Sequence, residues 1–322
     1  MRSALSLLAC TIFATALAAT SFAQDYPLKP VRIIVAYTPG GGTDLVGRVL
    51  AKKLGESWGQ QVIVENRPGA GGNIGTDAIA KAPPDGYTLG VAPSTHAIVP
   101  NLYAKLPFDT LKDFTFISIV ASGPNIVVCH PSVPATTVKE LTALAKRRPG
   151  QLTFASAGIG ATTHLAGEYF KSVAGIDVLH IPYKGSSQAQ IDLVGGQVSF
   201  MVDSMPSGLP KVQAGKTRAL ATTGKKRFVT LPEVPTVMES GLQYESISWW
   251  GVVGPAGIPQ PVVNKLLAEI TRIMGQADVK EILATQGAEA TTSTPQQFID
   301  YVKQETALYA KIIKAANIRI EQ

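Results

Sequence analysis

The 322 residues carry 29 Lys and Arg against 23 Asp and Glu, a mild formal charge of +6 with no basic stripe of interleaved aromatics, which argues against nucleic acid as a partner. Only two cysteines are present, Cys10 and Cys129, too few for a thiolate metal cluster and, once the N-terminal apolar run is removed, too few for an intramolecular disulfide. At a soft prior of ~150 residues per domain, the length suggests two domains.

Arg2, the apolar run Ala4 to Ala19 and then Ser21-Phe22-Ala23 have the order of a secretory signal peptide, read here as residues 1–23. The run is short of the ~20 residues that a membrane span needs, so the mature chain, 24–322, is expected in the periplasm as an exported protein. Val31 to Ala36 is a β-branched run suited to a buried strand. Tyr37-Thr38-Pro39-Gly40-Gly41-Gly42-Thr43-Asp44 follows, then a helix with Leu45, Val46, Val49, Leu50 and Leu54 on one face. Thr43 is the expected N-cap, and the free N–H groups beyond it would favour an anion. A tight turn with no ligand is the competing reading of that stretch alone.

Next come a strand at 61–65, a helix from Asn73 to Ala80, a strand from Tyr87 to Ala92 and a polar loop, Pro93-Ser94-Thr95-His96. A β-rich passage from Phe114 to Val128 is expected to break at Ser122-Gly123-Pro124. Thr137 and Glu140 have the spacing of a capping box. A strand at 152–155 leads into the small-residue loop Ser156-Ala157-Gly158-Ile159-Gly160 and a helix opened by Thr162 or Thr163. A strand at 178–181 leads into Pro182-Tyr183-Lys184-Gly185-Ser186-Ser187 and a helix through Val194, and a strand at 198–202 ends at Asp203-Ser204. Alternation of this kind predicts a mainly parallel α/β sheet. Beyond Trp249-Trp250 the chain reads as a turn-rich link at 255–261, then three helices starting near Val262, after Asp278 and at Thr294-Pro295. Small-residue strand-to-helix corners thus recur at 39–44, 156–163 and 183–187. In open α/β sheets ligands sit at such strand ends, so two lobes facing one cleft are expected.

No nucleotide or catalytic fingerprint is complete. Leu45 stands where G-x-G-x-x-G needs its last glycine, Ile74 does the same after Gly69, and no G-x-x-x-x-G-K-[ST], G-x-S-x-G or H-E-x-x-H occurs. Ser156, His164 and Asp203 could be drawn as a triad, but nothing activates the serine. No cofactor, no metal and no enzymatic activity are therefore expected. Of the histidines, His96 and His164 lie beside ligand loops, whereas His130 and His180 read as structural. Asp44 would repel an anion, so it is expected to accept bonds from backbone N–H groups and shape its loop. Asp203 is expected to be a hydrogen bonder on the cleft rim.

Tyr26-Pro-Leu-Lys-Pro30, Pro39-Gly-Gly-Gly-Thr-Asp44, Asn66-Arg-Pro-Gly-Ala-Gly-Gly-Asn73, Pro84-Asp-Gly-Tyr87, Ala155-Ser-Ala-Gly-Ile-Gly160 with His164-Leu-Ala-Gly-Glu168, and Pro182-Tyr-Lys-Gly185 together resemble the Bug receptors. These are the substrate-binding proteins of tripartite tricarboxylate transporters, and the likeness spans the mature chain. The resemblance implies a two-lobed type II periplasmic binding protein of Venus-flytrap shape, with a small carboxylate held mainly by backbone N–H groups and waters. It implies ligand contacts from Tyr37, Pro39, Gly40, Gly41, Gly42, Thr43, Asp44, Ser94 and Thr95 in one lobe. The other lobe would supply Ala157, Gly158, Ile159, Gly160, His164, Tyr183, Lys184, Gly185 and Asp203. Tyr37 stands where many relatives have Phe. The lobes are expected at 24–123 plus 249–322 and at 124–248, with crossings near 122–125 and 246–252. The expected partners are a small organic acid and the membrane components of such a transporter, with the protein itself a monomer. An exported sensory binding protein without a transporter, and an α/β hydrolase, are the alternatives.

Overall fold

The computed structural model describes residues 26–315 and Ile318; the signal sequence expected at 1–23 lies outside the described residues. Strand β1 (Val31–Val35) is flanked in parallel by β2 (Val62–Asn66) and β3 (Thr88–Pro93). Alternate residues of β1 face opposite layers: Ile33 packs with Leu50, Leu54 and Leu266, and Ile34 with Ile79, Trp249 and Phe298. Helix α1 (Gly42–Trp58) buries Val46, Leu50 and Leu54 on the first of these layers and stops at Gly59, which takes the left-handed conformation at φ 63°. Helix α2 (Asn73–Ala80) returns the chain to β3, and the short helix α3 (Thr95–Ile98) follows it.

Strand β4 (Phe114–Cys129) is 16 residues long and belongs to both halves of the molecule. Its first part, 114–124, pairs antiparallel with β9 (Ile247–Pro255); its last part, 125–129, pairs with β7 (Phe200–Ser204) and β8 (Arg218–Thr222). The expected break at Ser122-Gly123-Pro124 is therefore a change of partner within an unbroken strand. Gly123 is small because a Cβ there would meet the Gly287 carbonyl at 2.7 Å. Beyond β4 come α4 (Val138–Arg147), β5 (Thr153–Ser156), α5 (Thr162–Ala174), β6 (Leu179–Pro182) and α6 (Ser186–Val194). Strand β7 and α7 (Met205–Gln213) complete this run. The same two-faced packing holds here, with Phe154, Phe200 and Val202 on one layer and Ala155 and Met201 on the other.

The strand order is β2-β1-β3-β9-β4-β7-β5-β6, with β8 and the two-residue β10 (Glu289–Ala290) also on β4. Parallel and antiparallel pairs mix, which corrects the expectation of a mainly parallel sheet: β4 and β9 run against their neighbours at the centre. Strand β9, where the sequence reading placed a crossing near 246–252 and no strand, lies in the first half between β3 and β4. The chain closes with α8 (Gln260–Met274), α9 (Ala277–Thr285) and α10 (Pro295–Ala315), whose Phe298 and Val302 are fully buried. Thr294 Oγ1 accepts the Gln297 N–H at 3.1 Å, as a cap should. Two α/β lobes result, with the carboxyl ends of β1, β5, β6 and β7 turned toward one cleft. Among the described residues no helix is long and apolar enough to cross a membrane.

Candidate functional site

The cleft is built from helix beginnings. At α1 the N-cap is Gly41, with extended backbone and no side-chain cap, so Thr43 sits two places too late to cap as expected. Its hydroxyl instead accepts the Trp250 indole N–H at 3.2 Å. Leu45 is the first residue of the helix to bond back, to the Gly41 carbonyl at 3.0 Å. The N–H groups of Gly42, Thr43 and Asp44 precede that ladder and lie at the positive end of the helix dipole. Asp44 turns away from the cleft. Its carboxylate takes the Gly40 N–H at 3.0 Å, the Asn66 amide at 2.9 Å and Arg48 Nε at 2.8 Å. Burial alone would raise its pKa, but these donors outweigh burial and hold it below the ordinary carboxylate range.

At α5 the N-cap is Ala161, again without a side-chain cap. Thr162 N–H reaches across to Thr95 Oγ1 at 3.1 Å, and Thr163 Oγ1 accepts the Ala157 N–H at 2.8 Å. His164 lies behind this turn: Nδ1 accepts the Gly160 N–H at 3.2 Å, and the ring stacks on His180 at 4.3 Å. His180 in turn meets Ser156 Oγ at 2.6 Å and stacks on Phe154. Burial pushes the two imidazoles down to about 4 and about 3, so both are neutral near pH 7. At α6 and α7 the opening residues are Ser186 and Ser204. The Ser186 hydroxyl and the Ser204 N–H both donate to Asp203 Oδ1 at 2.8 Å, while Gln190 Nε2 donates to Oδ2 at 2.8 Å. Asp203 is fully buried rather than on the rim, and burial, against these bonds, raises its pKa.

These four helix beginnings surround a pocket of about 450 Å³, counting its open mouth. Seven of the expected residues line it: Tyr37, Gly41, Gly42, Thr43, Ser94, Thr95 and Ala157. Eleven do not. Pro39 and Gly40 are exposed outside it, and Asp44, His164 and Asp203 stand behind the wall as just described. Gly158, Ile159 and Gly160 form the lip between the lobes, where the Ile159 carbonyl accepts from Tyr103 OH at 3.1 Å. Tyr183 points its hydroxyl to Asp192 at 2.6 Å, Lys184 is exposed, and Gly185 packs on Thr38. His96 is buried against the Thr110 carbonyl at 2.7 Å, away from the pocket.

The sequence reading missed Thr162, Thr163 and Ser186 as pocket residues, although each stands at a helix opening it had located, and it missed Ser204 together with the helix that Ser204 opens. It also missed Pro93, Ala161, Ser248, Trp249 and Trp250. The last three belong to β9, whose place at the centre of the sheet brings them to the cleft floor. Among the described residues lining the pocket none is Asp, Glu, Lys or Arg. Such a wall offers an anion oriented N–H groups and hydroxyls without a formal countercharge. The lobes meet around the mouth through Thr38 Oγ1 to Ser187 Oγ at 2.9 Å and Thr95 Oγ1 to Thr162 Oγ1 at 3.1 Å. Nor does the drawn triad assemble: Ser156 bonds His180, and Asp203 is held by Ser186, Gln190 and Ser204.

Comparison with known proteins agrees with this geometry. BugT of Bordetella pertussis is 35% identical over 100% of this chain and 99% of its own length. A Rhodopseudomonas palustris protein solved with adipate has a TM-score of 0.89 at 35% identity, covering 91% of this chain and 99% of its own. MatC from the same species, solved with bound malate, has a TM-score of 0.86 at 29% identity, covering 89% and 100%. Residues 46–318 match the model of the tripartite tricarboxylate transporter family receptor. With the two lobes, the single cleft and the uncharged ring of helix openings, the chain belongs to the tripartite tricarboxylate transporter receptor family of periplasmic solute-binding proteins.

Proposed function

We propose that the protein captures a small organic acid in the periplasm and delivers it to the membrane components of a tripartite tricarboxylate-type transporter, without catalysing a reaction. The observation that carries this reading is the pocket wall: the opening of α1 presents the unbonded N–H groups of Gly42, Thr43 and Asp44, the opening of α5 adds that of Thr163, and no acidic side chain faces them. Bound adipate and malate in two related receptors support a carboxylate as the ligand class. In this reading the ligand's carboxylate sits on the first turns of α1 and α5, with Thr43, Ser94, Thr95 and Thr163 adding hydroxyl contacts. Residues 1–23 direct export, 24–123 with 249–322 form one lobe, and 124–248 form the other.

A thermal-shift screen against mono-, di-, tri- and aromatic carboxylates tests it, with calorimetry on the hits and neutral sugars and amines as controls. A ligand at ~100 times its dissociation constant stabilises by ~2.7 kcal/mol. Stabilisation by acids alone is the expected result. Binding of a sugar or an amine with no acid bound would overturn the carboxylate reading.

A further inference from the structure

Hydroxyl hydrogens in the pocket can be assigned from their partners, and they divide the wall into two kinds of surface. Thr43, Ser94 and Thr163 each accept a hydrogen bond from the protein, from Trp250 Nε1, Trp249 N and Ala157 N respectively. Their own hydrogens are left to donate, and they accompany the N–H groups at the openings of α1 and α5. Ser186 and Ser248 are the reverse. Ser186 must donate to Asp203 Oδ1 at 2.8 Å, because that oxygen also takes the Ser204 N–H and can only accept. Ser248 donates to Asn125 Oδ1 at 2.6 Å, and the Asn125 amide nitrogen is turned toward the Ser246 carbonyl and hydroxyl. Both serines therefore offer the pocket only lone pairs.

Asp203 strengthens the division. It places a buried carboxylate directly behind Ser186, at the shared beginning of α6 and α7, so those two openings already hold an acid of the protein's own. At α1 the equivalent acid, Asp44, faces away and is paired with Arg48, and α5 has no acid in its first turn. A ligand carboxylate is thus welcome at one side of the pocket and unwelcome at the other.

We infer that Ser186 and Ser248 are specificity determinants: the pocket takes a carboxylate that also carries a hydroxyl or ammonium donor, and discriminates against an acid of the same size that has none. A bare methylene laid against these oxygens strips their water and returns no hydrogen bond, and sites of that kind reject the analogue lacking the donor strongly. The inference rests on the carboxylate reading above and narrows it.

Calorimetry on matched acids tests both separately. The series are succinate with malate and aspartate, adipate with 2-aminoadipate, and 3-phenylpropionate with phenyllactate and phenylalanine. In whichever series binds, the donor-bearing member is expected to bind at least about tenfold more tightly. Ser186→Ala and Ser248→Ala together should bring that ratio close to one. Equal or tighter binding of the plain acid to the native protein overturns the inference and leaves the carboxylate reading standing. A ratio unchanged in well-folded alanine variants overturns the assignment to these serines. Failure of every acid in every series overturns the carboxylate reading, and the inference falls with it. Should the double variant misfold, the native ratio alone decides.

Discussion

Replacing Asp44 by Ala removes one acceptor from three donors, and their surroundings set the cost. Arg48 is about half exposed, so its guanidinium recovers water, and that bond contributes a few tenths of a kcal/mol. The Asn66 amide is not so free, because its nitrogen also bonds the Tyr37 carbonyl at 3.0 Å and stays pinned with its second hydrogen unmet. An unmet donor costs ~1–3 kcal/mol when buried, and Asn66 is half-buried, so the lower end of that range, about 1 kcal/mol, applies. Loss of the negative charge in the first turn of α1 adds ~0.3–1 kcal/mol. The expected destabilisation at pH 7 is therefore about 1.5–2.5 kcal/mol by urea denaturation. The pH dependence is an independent check. A carboxylate held below its unfolded value near ~3.9 contributes stability that is complete above that value and is lost as pH falls through the folded one. The gap between the native protein and Asp44→Ala should stay level from about pH 8 to about pH 5 and close below about pH 4. Ligand affinity should fall as well, since the loop from Pro39 to Gly41 loses its anchor. A gap under ~0.5 kcal/mol at pH 7, or one that widens on acidification, would refute the account.

Gly71→Ala should prevent the lobes from meeting: Gly71 has φ 64°, and a Cβ there would lie 2.0 Å from the Ile159 carbonyl on the opposite lobe. Affinity should drop more than about tenfold and the radius of gyration with ligand should rise, for a strain cost of ~1–2 kcal/mol, and undiminished affinity would show that this lip does not gate closure. Gly158→Val is a poorer probe of the same lip. With φ 128° and the Tyr183 carbonyl 2.7 Å from a Cβ, it should lower the melting temperature of the protein itself as well as its affinity. Because Trp249 and Trp250 both line the pocket and Trp58 packs on Tyr26 at 5.8 Å, ligand should change the tryptophan emission of Trp58→Phe but not that of Trp249→Phe/Trp250→Phe. Loss of the change in Trp58→Phe alone would place the reporter elsewhere.

Features that depend on near neighbours in sequence could be read directly. The capping box is one: Thr137 Oγ1 takes the Glu140 N–H at 3.1 Å, although Glu140 closes the loop onto Thr136 rather than Thr137. The recurring corners are another, since small residues between a strand and a helix announce themselves. Strand β9 was not legible, because Gly251 and Gly254 break its pattern for reasons that lie far away. A Cβ on Gly251 would meet the Phe298 ring at 2.2 Å, and one on Gly254 would meet Ile258 at 2.4 Å. Helix α7 was hidden by Pro206 and Pro210, which read as loop until the chain is seen to turn. The stacking of His180 in β6 could not be read, since its partners Ser156 and His164 come from other elements. The cleft was therefore found at its corners and missed at its floor.

Strand β9 also has a consequence for how the chain reaches this state. It lies between β3 and β4, yet it follows β3 by a long detour: Ser94 and Trp249, which share a side-chain to backbone bond, stand 155 residues apart. Until those residues emerge from the ribosome, β3 has one edge unfilled, and the first half of β4 has none of its β9 partners. The second lobe, by contrast, has its strands together once β8 has been made. A nascent chain thus carries a finished module attached to an unfinished one whose open edges invite pairing with other chains. Truncation after Ser246 should leave that unfinished module as an aggregating species rather than a smaller receptor, and holding the chain unfolded until its last third is complete removes the hazard.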